Sequence, residues 1–274
     1  MIQQIAAIFV LSMLIVFSPY CSFASDKDFC SGKRMKEFKL GELEMCTRDE
    51  SEDGNYLLRF SKNKEVIFSG ECAFKIREPQ VVRNAPLPDC SSLLAYCFSG
   101  GAHCCTTLFI ATECGQNVSL TAADLAHSDG KVDFIKPDGG PQKVLRILDW
   151  QFAYYAPEDL QIQLSFASSP AMVRLLVFEG GHWRPDRIGE FGPFYSRLLD
   201  QTMQEAGSVS KEPESAASAA ITAAYYLIMS GQPFERAVAV LNQLLPIQWR
   251  MESPKIAGDI RHAASQFNPL EQIR

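Results

Sequence analysis

The chain has 274 residues, 47% of them apolar, and a formal charge of −6 with acidic and basic side chains interspersed. Such a composition excludes a disordered or low-complexity chain, and the lack of a basic tract argues against nucleic acid as a partner. The length is ample for a sizeable core.

The first 24 residues carry no charged side chain, and Ile5 to Phe17 form one apolar run. That run is shorter than the roughly 20 residues a spanning helix needs. It reads as a secretory signal, broken at Pro19 and followed by Ser22-Phe23-Ala24, whose small residues at the cleavage positions place the cut after Ala24. A retained anchor is the first alternative. Lipidation of Cys21 is the second, with Pro19 and Tyr20 standing where small and aliphatic residues are expected. The mature chain then has no membrane span and is periplasmic or secreted.

Eight of the nine cysteines follow that cut: Cys30, Cys46, Cys72, Cys90, Cys97, Cys104, Cys105 and Cys114. An even count in an exported chain points to a disulfide framework, and all eight fall at or before Cys114, in roughly the first third of the mature chain. Bridges in a chain of this length serve less to replace a core than to resist local opening.

Between about Glu37 and Ile188 short β-branched and aromatic segments alternate with turn clusters, the mark of antiparallel strands. Asp49 to Gly54, DESEDG, imitates a calcium loop, but its twelfth position is Phe60 rather than Glu, so a solvated acidic turn is expected. Tyr56 to Phe60 and Val66 to Gly70 flank Ser61 to Lys64 as a hairpin. Leu93 to Phe98 and Cys104 to Thr112 flank Ser99-Gly100-Gly101-Ala102 as another, which sets Cys97 opposite Cys104 or Cys105 and brings Cys90 close to Cys114. Side chains alternate across a strand, and each same-strand cysteine pair is an odd number of residues apart. Bridges 90–114 and 97–105 would then lie on opposite faces, leaving 72–104 and 30–46. The rival is a vicinal 104–105 bridge with 97–114. Eight cysteines allow on the order of a hundred pairings, and spacing alone does not select one.

His103, Cys104 and Cys105 raise a metal reading. Zinc ligands are normally spaced so that a loop wraps the ion, and contiguous ligands on a strand point apart, so no metal or cofactor is expected. With no C-x-x-C in the chain, a dithiol redox centre is not expected either. His103 is read as a structural donor beside the turn and kept as a candidate contact residue.

Val132 to Ile135 and Lys143 to Leu148 flank Pro137 to Gly140, and Ala171 to Phe178 and His182 to Ile188 flank Glu179-Gly180-Gly181. Between them Trp150, Phe152 and Tyr154 alternate onto one face of an expected strand with Tyr155 on the other. With His182 and Trp183 they are the candidate binding residues, since exposed aromatics stack on sugars or anchor partners, although such rings usually fill a core. Ten to twelve strands fit, too many for one small sheet, so a sandwich or distorted barrel is expected.

The string SGGAHCC, followed by a Thr-rich and aromatic strand and later by DWQFAYYAPEDLQIQLSFASSPAMVRLLVFEGGHWRPDRI, resembles a set of exported bacterial proteins of unassigned role, over about residues 95 to 190. The resemblance implies an exported β fold and carries no activity. Many of those proteins have an Asp-Gly-rich stretch before the motif that could hold calcium. Here Ala85-Pro86-Leu87-Pro88-Asp89-Cys90 stands instead, which does not fit that role.

Residues 204 to 218 read as a small, polar linker closing a β domain of residues 25 to 203, with a helical segment over 219 to 274. Its first pattern runs back to Pro213 and on to about Met229, Ala-rich and buried. A second opens at Pro233 with Phe234, Ala237, Val238, Leu241 and Leu245 on one face. A third, after Ser253-Pro254, carries Ile256, Ile260, Ala263, Ala264 and Phe267. The first two resemble one tetratricopeptide-type hairpin, and one hairpin is not an array. The expected class is α+β, mainly antiparallel β with a helical C-terminal segment. No G-x-S-x-G, H-E-x-x-H, Walker A or G-x-G-x-x-G motif occurs. The function expected is a non-enzymatic module binding a protein or glycan of the cell envelope. The alternatives are an envelope hydrolase using His103, His182 or scattered carboxylates, and an architectural accessory subunit.

Overall fold

A computed structural model describes Cys30 and residues 35–50, 55–73, 75–99, 105–128, 132–157, 163–206 and 212–273. The expected signal, SGGAHCC from Gly100 to Cys104, and most of DESEDG lie outside the described residues.

The chain builds three antiparallel sheets in sequence and covers the last with helices. β1 (Met35–Leu40), β2 (Leu43–Glu50), β3 (Asn55–Lys62) and β4 (Glu65–Cys72) form a meander. β5 (Lys75–Arg83), β6 (Cys90–Phe98), β7 (Thr106–Cys114) and β8 (Asn117–Asp124) form a second, and β9 (Asp133–Ile135), β10 (Val144–Asp149), β11 (Met172–Glu179) and β12 (His182–Pro185) a third. The turns are where the punctuation put them: Asn63 and Lys64 between β3 and β4, Gly180 and Gly181 between β11 and β12, all with positive φ. The helices are α1 (Gly192–Ala206), α2 (Pro213–Met229), α3 (Phe234–Leu244) and α4 (Ser253–Gln266), after which β13 (Leu270–Ile273) joins the second sheet beside β8.

The layers follow from which side of each strand is apolar. β6 reads CSSLLAYCF, a nearly continuous apolar run, because both of its faces are covered. Leu93 and Ala95 face the first sheet and pack with Met45, Leu58, Phe60, Phe109 and Ala111. Leu94 and Tyr96 face the third sheet with Leu108, Ile110, Leu145, Ile147, Leu176 and Phe178. On the far side of the third sheet, Val144, Leu175 and Val177 meet Tyr195, Ile221, Ala224, Ile256 and Ile260. The result is four layers, sheet on sheet on sheet on helices, and α2 sits centrally against α1, α3 and α4. Burying each large apolar side chain in such a stack contributes about 1.5–3 kcal/mol.

The cysteines staple the first two layers. Cys90 and Cys114 face each other in the β6–β7 register and are bridged, and Cys30 is bridged to Cys46 on β2. Cys97 does not reach Cys105. The β6–β7 register places Phe98 opposite Thr106 and Cys97 opposite Thr107, so Cys105 lies two residues short of the position facing Cys97. Its partner is Cys72 at the end of β4, 5.4 Å away between Cα atoms, which ties the first sheet to the second and also overturns the expected 72–104 bridge. Cys105 is disulfide-bonded as well.

Two expectations about the second half are corrected. Helix starts at Gly192, inside the segment assigned to the β domain, whereas α2 runs from Pro213 to Met229 as its pattern predicted. Residues 151 to 154 form a turn, not a strand, with Tyr154 at φ 57°. The C-terminal residues return to the sheets as β13, so the helices are held at both ends of their segment. Where the β12–α1 connection meets the α2–α3 turn, Gly189 and Gly231 are in left-handed conformation, and a Cβ on Gly231 would lie 3.1 Å from the Gly189 Cα. Glycine at both positions lets the two backbones touch.

Replacing Cys72 and Cys97 together by alanine is expected to lower the unfolding free energy by about 2–4 kcal/mol in urea titration. A loss below about 0.5 kcal/mol would mean that apolar packing alone joins the first two sheets.

Candidate functional site

Three features of the described residues have the chemistry to do something: a buried polar network, a surface cluster of rings, and a groove. The network is built on Arg174, a cation set in the middle of the apolar strand MVRLLVFE. Its side chain is 1% exposed and that of Asp186 is 0%. Nε of Arg174 donates to Asp186 Oδ1 at 2.8 Å and Nη2 to the Asp186 carbonyl at 2.9 Å. Nη1 donates to Tyr225 Oη and to the Ala264 carbonyl of α4, both at 3.0 Å. The guanidinium also lies 4.5 Å from the centre of the Phe267 ring. Tyr195 Oη donates to Asp186 Oδ2 at 2.5 Å, and Tyr225 Oη to Asp149 Oδ2 at 2.7 Å. One cation thereby joins β11, the β12–α1 connection, α1, α2, the end of β10 and the last turn of α4.

Burial raises the Asp186 carboxyl above its ordinary range, while Arg174 and Tyr195 pull it back. Burial also raises Asp149, against the Gln151 amide, the Tyr225 hydroxyl and Arg174. Tyr195 and Tyr225 are pushed well above the usual phenol value, chiefly by burial, and so act as neutral donors. Burial works against the Arg174 charge, but Tyr225, Asp186 and Tyr195 more than offset it. Perturbed carboxylates attract a catalytic reading. Here their oxygens are engaged by internal donors and sealed from solvent, which is the arrangement of a structural joint.

The ring cluster lies where the β8–β9 and β10–β11 connections meet. Trp150 and Phe166 stack at 5.6 Å with planes 8° apart. His127 meets Trp150, Tyr154 and Phe166 edge-on at 5.8, 6.3 and 5.3 Å, and Tyr154 leans on Phe166 at 5.7 Å. Tyr154 is 38% exposed, and the other three rings are half-buried. The left-handed backbone at Tyr154 is fixed by its own N–H donating to Ser169 Oγ at 2.8 Å and by Gln163 Nε2 donating to its carbonyl at 3.0 Å. Ala126, beside His127, also has positive φ, 46°. Non-glycine residues in this region carry strain that often marks a binding site. The buried Trp150 Nε1–H has no acceptor among the described residues, which costs about 1–3 kcal/mol for an unmade hydrogen bond.

The sequence-nominated residues therefore divide. Trp150 and Tyr154 come together, through Phe166 and His127 rather than through strand alternation. Phe152 points the opposite way from the turn and is core, in ring contact with Tyr155 at 5.0 Å. Trp183 is buried between the second and third sheets, its indole N–H donating to Thr112 Oγ1 at 3.0 Å. His182 is exposed at the end of the β11–β12 hairpin, with no ring contact to the cluster among the described residues. His103 lies outside the described residues. Sequence reasoning missed His127 and Phe166, which loops bring in and no spacing announces. It also passed over Arg174, whose lone charge inside an apolar strand was a readable sign of a buried ion pair.

The groove, about 710 Å³, runs between the C-terminal end of α4 and the β12–α1 connection. No group of three or more metal-ligating side chains occurs among the described residues, and none of their helices is long and apolar enough to cross a membrane. No protein-family model, curated protein or solved structure matches the chain.

The raised Asp149 fixes the sign of a pH effect. A carboxyl whose folded value lies above its unfolded one contributes stability below the unfolded value, and that contribution is lost as pH rises through the folded value. Relative to the parent, Asp149→Asn is expected to gain stability steadily in urea titrations at pH 3.5, 5 and 7, whatever constant cost the lost hydrogen bond adds. A variant that gains toward acid instead would place the folded carboxyl below its ordinary range.

Proposed function

We propose that the chain is an exported, disulfide-braced module that binds a glycan of the cell envelope on the cluster of Trp150, Tyr154, Phe166 and His127. The reading rests on one observation above others: a half-exposed stack of rings carried on a connection whose backbone is held left-handed at Tyr154. The apolar face of a pyranose covers such rings, gaining contact with little conformational loss because the rings are already packed on one another. The strained backbone at Tyr154 and Ala126 holds the platform in place before the ligand arrives.

Export is supported by the disulfides, by the apolar leader of the first 24 residues, and by the resemblance around SGGAHCC. Binding is favoured over hydrolysis because the perturbed carboxylates, Asp149 and Asp186, are buried and committed to Tyr225, Tyr195 and Arg174. An envelope hydrolase would need such a group facing its substrate.

The test is calorimetric titration with soluble N-acetylglucosamine oligosaccharides and peptidoglycan fragments. Tyr154→Ala and Phe166→Ala, each removing one ring of the stack, are each expected to weaken binding about tenfold, or about 1.4 kcal/mol. Glycan affinity unchanged in both variants, or no affinity for either glycan class, would defeat the proposal.

A further inference from the structure

The groove beside α4 is a site of a different kind, and we infer that it binds a small monoanion with an apolar body, a carboxylate whose charge is met by Arg187. Its walls combine Phe267, Leu270 and Ile188 with the polar side chains of Ser265, Asn268 and Gln272. A volume of about 710 Å³ is that of a small-molecule site.

The groove runs along an open strand edge, and its own geometry excludes an added peptide strand. The β11–β12 register turns the Trp183 and Pro185 backbone groups outward. The Trp183 carbonyl accepts from Gln272 Nε2 at 3.4 Å, and the Pro185 carbonyl from Arg184 Nη1 at 3.0 Å. Proline has no N–H to offer. The edge is blunted in the way sheets avoid pairing with other chains.

Charge selects the ligand. Of the charged side chains along the groove only those of Arg184 and Arg187 reach solvent, the Arg174–Asp186 pair lying sealed beneath it. Arg174 is matched by Asp186 inside the protein. Arg184 is matched by two glutamates, donating to Glu179 at 2.6 Å and to Glu190 at 2.9 and 2.7 Å. Arg187 is anchored by its backbone N–H to Glu190 at 2.9 Å, but its guanidinium, 72% exposed, has among the described residues only a 3.9 Å approach to Glu179, which already serves Arg184. A planar guanidinium at the rim of an apolar recess suits a carboxylate, which it can hold through two parallel hydrogen bonds.

Octanoate and octanol, which share an apolar body and differ in charge, are the probes, read by calorimetry on the full chain at low salt. Octanoate is expected to bind at least tenfold more tightly than octanol. Arg187→Gln should reduce octanoate to the level of octanol, leave octanol unchanged and leave the urea midpoint unchanged. Ser265→Trp, which fills the recess from its wall, should abolish binding of both. Equal binding of the two probes, no binding of octanoate, octanoate affinity unaffected by Arg187→Gln, or binding that survives Ser265→Trp would each overturn the assignment.

Discussion

A guanidinium buried between a β-sheet and a layer of helices is the constraint from which the rest of this structure follows. Removing two charges from water costs several kcal/mol per ion, and mutual attraction offsets that only with good geometry and full hydrogen bonding. Arg174 meets both conditions by taking hydrogen-bond partners from three segments, and Asp186 and Tyr225 extend the network to Tyr195 and Asp149. Because Asp186, Tyr225 and the Ala264 carbonyl converge on Arg174 and Tyr195 converges on Asp186, the β12–α1 connection, α1, α2 and the end of α4 have one arrangement in which no member of the network is stranded. Apolar packing alone tolerates sliding, whereas a directional network does not. The groove exists because that network holds α4 against the β12–α1 connection, and the glycine contact at 189 and 231 fixes the other end of the same connection.

The two ends of the molecule are braced by different chemistry. Toward the N-terminus the first two sheets are tied by Cys72–Cys97 and the hairpin by Cys90–Cys114, covalent links that suit an oxidising exterior. Toward the C-terminus no cysteine remains, and hydrogen bonds to one buried cation serve instead. The ring cluster lies on connections between these regions. Its rings are pre-packed by Ser169 and Gln163, so a ligand meets a surface that needs little ordering.

Much of the fold was legible in the sequence, for identifiable reasons. Hairpins at Ser61 to Lys64 and at Gly180-Gly181 announced themselves because positive φ demands particular residues. The Ala-rich stretch after Pro213 declared a buried helix. What failed depends on tertiary context. GPFYSRLLDQTMQEA was not read as a helix: Phe191, the residue before it, is not a capping residue type, and only Phe194 and Tyr195 near its start are buried. The aromatic stretch at 150 to 155 alternates as a strand does, yet the Ser169 and Gln163 contacts fold it into a turn. Cys97 was paired with the wrong cysteine because local hairpin geometry says nothing about a neighbouring sheet. Of the site, Trp150 and Tyr154 were legible as aromatics, and His127 and Phe166 were not, since loops set their distance.

The central claim is that Arg174 and Asp186 act as one unit joining helices to sheet, and a double-mutant cycle of Arg174→Met and Asp186→Asn, followed by urea unfolding, tests it most directly. Each single change is predicted to cost about 3–5 kcal/mol, since it strands the other partner. The double variant should cost less than their sum by at least about 1 kcal/mol. Single costs below about 1 kcal/mol, or costs that simply add, would contradict the account.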